Sequence, residues 1–174
     1  GMSMQPEARP LLMAIGTALA PLKSAMAADP NLHVGKGFMA KDGKSVHGVR
    51  IYTDKNGQTH VGAFKYEGKP ATGDADSLVP KGCTSFFEGP AVGVLVRSFP
   101  SHFTTGYHND PAHQHQLTFI IEGTAGGGCM DGSSFILEPG SLSTVEDPTG
   151  TGHTAHDEGG TGFVQLFISM PSSE

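Results

Sequence analysis

From residue 46 onward the chain is a succession of short apolar runs, each cut off by glycine or proline, and this punctuation limits the fold more than any other feature. Both residues are costly inside helices, so a helical bundle is disfavoured. The 25 glycines and 12 prolines are scattered rather than periodic, which excludes a collagen-like repeat. The runs at 49–53 and 58–64 flank Asp54-Lys55-Asn56-Gly57, and Asn-Gly is a strong hairpin signal. Further strands are expected at 92–99, 116–121, 128–130, 135–137, 142–145 and 163–169, with turns at Asp131-Gly132, Pro139-Gly140 and Gly159-Gly160. Short strands at such spacing predict an all-β sandwich or barrel.

A chain of 174 residues has room for one domain with a modest appendage, and it can bury a core without metal or disulfide staples. Its formal net charge of -6, with no basic run, argues against nucleic acid and anionic membrane as partners. Cys83 and Cys129 stand alone, with no C-x-x-C, and spacing leaves open whether they pair.

The N-terminal part admits two readings. Gly1 before Met2 reads as a remnant of tag cleavage. Arg9, the apolar run at 11–20, the breaker Pro21 and the Ala25-x-Ala27 ending resemble a secretory signal cleaved after Ala27, which would place the protein in the periplasm. Against that, Glu7 cancels Arg9, and an ordered helix packed on the body, with a cytoplasmic protein, serves equally. The run is too short to span a membrane. Residues 29–45 are polar and glycine-rich and read as a linker, so residues 1–45 form an N-terminal helix and linker and 46–174 the β-barrel domain. Gly37 followed by Gly43-Lys44-Ser45 approaches a phosphate loop, but the spacing is one residue off and a strand follows, so the helix N-terminus that completes such a site is missing.

Histidine is the second anomaly. Of nine, His102, His108, His113, His115, His153 and His156 fall between residues 102 and 156, whereas His33, His47 and His60 read as surface residues. Neutral imidazole is the commonest side-chain metal ligand, and a loop entering a strand can aim several at one point.

His113-Gln114-His115, Glu122-Gly123, Glu138-Pro139-Gly140 and the later His153 resemble the two motifs of the cupin superfamily over roughly residues 90–170. The stretch Glu146-Asp147-Pro148-Thr149-Gly150-Thr151-Gly152-His153 and the segment Arg50-Ile51-Tyr52-Thr53-Asp54 through Gly57, Thr59 and His60 are similar to a group of small bacterial single-domain cupins. The resemblance implies a cupin-type double-stranded β-helix, or jelly-roll, barrel with a pocket open at one end. Gln116, Thr118 and Ile120 would face that pocket, with His153 at its edge.

The departures from the family pattern bear on the chemistry. Where metal-binding cupins place a glutamate ligand, this chain has Gln116, which ligates only through a neutral carbonyl oxygen. The loop around Asn109 to Ala112 holds an insertion, and two ligand sets result. Either His108 joins His113, Gln116 and His153, or His113 and His115 form the pair directly. Strand alternation favours the first, since an inward Gln116 turns His115 away. Glu146 is a candidate catalytic acid/base, and Asp147 reads as the first residue of a turn, with an outer role orienting His153 as the alternative.

The resemblance implies a metal-dependent enzyme, dioxygenase-like or isomerase-like, acting on a small organic molecule. Its divalent transition metal (Fe, Mn, Zn or Ni) would be held by His108, His113, His115, Gln116 and His153 in one of the two sets. The rival reading is a non-catalytic, metal-free cupin that binds a small metabolite through the same histidines. A homodimer is the expected assembly, as is common for small cupins.

Overall fold

The computed structural model describes residues 32–34, 43–70, 83–86, 89–110 and 114–171. The expected N-terminal helix and His113 lie outside these residues. Twelve strands follow in order: β1 (Leu32–Val34), β2 (Ser45–Thr53), β3 (Thr59–Glu67), β4 (Lys69–Pro70), β5 (Thr84–Ser85), β6 (Gly93–Phe99), β7 (Gln114–Glu122), β8 (Ala125–Cys129), β9 (Ser134–Leu137), β10 (Leu142–Glu146), β11 (His153–Asp157) and β12 (Phe163–Pro171). No helix occurs among the described residues, and the all-β expectation holds there.

The strands form a six-stranded sheet in the order β3-β2-β10-β7-β12-β6, a four-stranded sheet β1-β9-β8-β11, and the small pair β4-β5. Pairing is antiparallel except for β10 with β2 and β1 with β9. This is the two-sheet architecture of a jelly roll, in which hairpins fold over one another rather than side by side. The β2–β3 hairpin forms where Asn-Gly placed it. There the Asp54 carboxylate accepts the N–H groups of Asn56 at 2.8 Å and Gln58 at 2.9 Å, closing the turn.

Side-chain alternation gives the six-stranded sheet two different faces. Its inner face sends Val49, Ile51, Val61, Ile120 and Val145 against Ala125, Cys129, Phe135 and Leu137 of the four-stranded sheet, and this apolar layer is the main core. Its outer face carries a second cluster, Val46, Phe64, Leu117, Leu142 and Met170, partly covered by Phe86 next to β5. Both layers are driven by removal of apolar surface from water.

Four strands were not legible in the sequence: the two-residue β4 and β5, and β1 and β11. β1 lies in the expected linker, where Leu32–Val34 pairs in parallel with Phe135–Leu137. β11 reads His-Thr-Ala-His-Asp, with no apolar run to announce it. It forms because the glycine-rich β8 lets it approach closely: a Cβ at Gly127 would run into the carbonyl oxygen of Thr154 and the ring of Phe135. Here the partner strand's lack of side chains, rather than β propensity, decides the structure.

Candidate functional site

Strand β11 is flanked on its other side by the segment that follows β6. Thr105 N–H donates to Ala155 O at 2.8 Å and Asp157 N–H to Phe103 O at 2.8 Å. His108 and His153 exchange two backbone hydrogen bonds of 2.9 Å, the mark of a directly opposed antiparallel pair. Gly152 makes this approach feasible. Its φ is +75°, and a Cβ there would lie 2.6 Å from the carbonyl oxygen of His108. The two imidazoles thereby stand face to face at a tilt, with centroids 4.5 Å apart and planes at 49°.

Each ring has one nitrogen fixed by an acceptor. His153 is 6% exposed, and its Nδ1 lies 2.8 Å from Oδ2 of Asp147, which is 0% exposed. His108 Nδ1 lies 3.0 Å from the carbonyl oxygen of Gly106, which can only accept. Both Nδ1 atoms therefore carry hydrogen, and in the neutral imidazoles both Nε2 atoms present lone pairs. Asp147 is held from its other side by the loop 109–110. Its Oδ1 takes the Asp110 N–H at 3.4 Å, and its carbonyl oxygen takes Asn109 Nδ2 at 3.0 Å. Burial, with the Asp147 carboxylate nearby, pushes the Asp110 carboxyl up to about 8. Asp110 thus keeps its proton at neutral pH, and its Oδ2 is buried with no hydrogen-bond partner among the described residues.

These residues line a cavity of about 400 Å³ between the two sheets. Phe99, Phe103, Phe163 and Phe167 form much of its apolar wall, with Phe99 and Phe163 stacked at 4.4 Å. Gln116, Ser143, Arg97 and Gln165 are among its polar lining. Gln165 Nε2 donates to Thr118 Oγ1 at 2.8 Å, and that hydroxyl pairs with Ser143 Oγ at 2.7 Å, which fixes the amide.

Of the residues singled out from the sequence, the structure brings His108, Gln116 and His153 to this cavity. His115 is opposite Met170 on the outer face, where its Nδ1 is buried without a partner among the described residues, as alternation from Gln116 requires. His113 lies outside the described residues. Glu146 also points to the outer face. It takes Arg50 Nε at 3.1 Å and Nη2 at 2.7 Å, and Arg50 sits 4.7 Å over the Tyr52 ring. Asp147 occupies its turn and orients His153 as well, so the two readings weighed for it are not exclusive. His60 is not a free surface residue: its Nδ1 meets Asp131 Oδ2 at 2.6 Å and its Nε2 lies 3.4 Å from Asp54 Oδ2.

Several cavity residues escaped the sequence reading, Asp110, Arg97, Gln165 and Phe103 among them. Alternation was the available signal for two of them. On β6, Arg97 shares a face with the apolar Leu95 and Phe99, and a charge on an inward face asks for a reason.

For a divalent metal, the cavity offers the Nε2 atoms of His108 and His153 and the neutral carbonyl of Gln116. Among the described residues no three His, Cys, Asp or Glu side chains converge to hold one. Two imidazoles and a neutral amide lack the third imidazole or carboxylate of the sets that hold catalytic transition metals, so the described residues alone do not make up the site the resemblance implies.

No protein-family model matches the sequence, and no curated protein matches it. Solved structures do. The cupin domain of Schizosaccharomyces pombe Cnp3 is 12% identical with a TM-score of 0.40, over 72% of this chain and 88% of that one. A dTDP-4-dehydrorhamnose 3,5-epimerase from Bacillus anthracis is 12% identical with a TM-score of 0.36, over 80% and 79%. The capsular polysaccharide assembling protein CapF from Staphylococcus aureus is 18% identical with a TM-score of 0.37, over 52% of this chain and 28% of that longer one.

Proposed function

We propose that this cupin-type barrel binds a small organic molecule between its sheets and that His153 acts on it as a proton acceptor, in isomerase-like chemistry. The observation that carries the reading is the 2.8 Å bond from His153 Nδ1 to the buried Asp147 carboxylate. A carboxylate in that position fixes the tautomer and stabilises the imidazolium formed when Nε2 takes a proton. Nε2 has no hydrogen-bond partner among the described residues, so it is available to a ligand. Asp110, which holds its proton, supplies an O–H donor on the same wall. A cavity of about 400 Å³ is at the small end of ligand pockets, and its phenylalanine wall suits an apolar body.

The test is exchange of carbon-bound hydrogen in D2O, followed by NMR, with a panel of small carbonyl compounds carrying an acidic C–H. Deuterium incorporation that disappears in His153→Ala supports the reading. Binding without exchange assigns the non-catalytic role instead. If no panel member exchanges or shifts the His153 imidazole resonances, the reading is lost.

A metal-assisted version is favoured by one observation. Both imidazoles have Nδ1 engaged and Nε2 left as a lone pair, as ligating histidines do. His108, His153, Gln116 and His113 would hold the ion, which would polarise a ligand carbonyl. Metal analysis of untagged protein decides: a stoichiometric transition metal lost in both His108→Ala and His153→Ala supports this version.

For assembly we propose a homodimer formed along β6, the terminal strand of the six-stranded sheet. Val92, Val94 and Val96 are 59%, 68% and 58% exposed there, and an apolar edge of this kind invites pairing with its own twofold copy.

A further inference from the structure

The cavity carries a polar feature that a proton acceptor does not explain. Arg97 on β6 and Gln165 on β12 are directly opposed in register, and both line the cavity. The two arginines among the described residues are treated differently. Arg50 is neutralised by Glu146, whereas Arg97 has no carboxylate partner among the described residues. Instead its guanidinium lies 5.9 Å from the centre of the Phe99 ring and 5.7 Å from that of Phe167. Packing on aromatic faces holds the planar group in place while leaving its N–H edge for an anion. Beside it, Gln165 is locked by Thr118, which leaves the second N–H of its amide unused. Among the described residues no lysine lines the cavity.

We propose that the ligand is a small monocarboxylate with an apolar, preferably aromatic, body, its carboxylate seated on Arg97 and Gln165 and its body against the phenylalanine wall. This rests on the reading of the cavity as a small-molecule site acted on by His153. One unpaired cation matches one anionic group, and a guanidinium fork is the natural partner of a carboxylate. Phe99, Phe103, Phe163 and Phe167 suit a flat apolar body, which stacks or meets ring edges.

The experiment is a titration of the full chain with benzoate and with its neutral isostere benzamide, read by calorimetry and by the imidazole resonances of His153. Benzoate binds the wild type at least tenfold more tightly than benzamide. Arg97→Gln removes that preference, weakening benzoate at least tenfold and leaving benzamide unchanged, and Arg97→Lys restores part of it. Arg97 is exposed, so these variants are expected to fold, and a thermal melt verifies it. Equal affinity for both probes, or a benzoate affinity within twofold of wild type in Arg97→Gln, overturns the carboxylate assignment while the cavity reading stands. Failure of either probe to move His153, together with the absence of exchange in D2O, overturns the cavity reading as well.

Discussion

Asp147 and His153 lie six residues apart around a turn and close on each other with a 2.8 Å hydrogen bond inside the protein. The intervening Pro148-Thr149-Gly150-Thr151-Gly152 reverses the chain so that a carboxylate at the end of β10 orients the first residue of β11. Asp147→Asn keeps the shape of the side chain and removes its charge. It is expected to lower any exchange activity about 10- to 100-fold with little change in melting temperature. Nitrogen NMR of the His153 ring should show its tautomers mixing in the variant. A ring still fixed with hydrogen on Nδ1 and undiminished activity would contradict the assigned role.

Glu146 tests the opposite expectation. Its bidentate pair with Arg50 has side-chain exposures of only 8% and 7%, so Glu146→Gln leaves a guanidinium buried without its counter-charge. Breaking such a pair from one side costs about 3 kcal/mol. Urea denaturation should show that loss while ligand binding in the cavity is retained. A stable variant with abolished activity would return Glu146 to the catalytic role considered from sequence.

The cysteines should differ sharply in reactivity. Burial, with the nearby Asp131 charge, pushes the Cys129 thiol up to about 12, and its side chain is 4% exposed. Cys83 is exposed, and both are free thiols. At pH 8 a disulfide reagent is expected to titrate one thiol quickly and the second only after denaturant is added. Two fast thiols, or none, would contradict the burial of Cys129.

Asp54 gives the hairpin a pH dependence. The Gln58 N–H holds its carboxyl below the ordinary carboxylate range, with Asn56 and His60 helping, and these outweigh the opposing effect of burial. Because the folded value is depressed, the stabilisation is complete above the unfolded value, about pH 4, and is lost as pH falls through the folded one. Asp54→Asn should therefore be less stable than wild type at pH 7, with the difference closing as pH falls through the depressed folded-state value. Thermal melts over this range read it directly, and a constant difference would refute the linkage.

The β6 edge predicts assembly. Replacing Val94 and Val96 with lysine adds charge to a face that is already exposed, so the fold should survive. Sedimentation should show wild-type dimers and variant monomers. A monomeric wild type, or a dimer indifferent to both lysines, removes β6 as the interface.

Much of the barrel was legible because turn chemistry and apolar runs are local. Asn56-Gly57 marked the β2–β3 hairpin, and Pro139-Gly140 separated β9 from β10. Alternation sufficed to turn Gln116 inward and His115 outward. What escaped depends on partners distant in sequence. β11 has no apolar signal of its own and owes its existence to the bare backbone of β8. Asp110 sits in a loop, and only its burial beside Asp147 makes it a proton-holding acid. Arg97 had a local signal, a charge on the face of Leu95 and Phe99, but its place beside Gln165 came only from the pairing of β6 with β12.

The pairing of His108 with His153 has a consequence for how such a protein changes over time. The two positions are joined through main-chain N–H and C=O groups, which are indifferent to the side chains they carry. The spacing of the two positions is thus inherited with the backbone, while their chemistry is written separately. A lineage that keeps glycine at 152 can exchange either imidazole for another group and still present two side chains at the same separation. Positions 108 and 153 form a socket, and changes of reaction within this architecture are expected to concentrate there before the strands around it are altered.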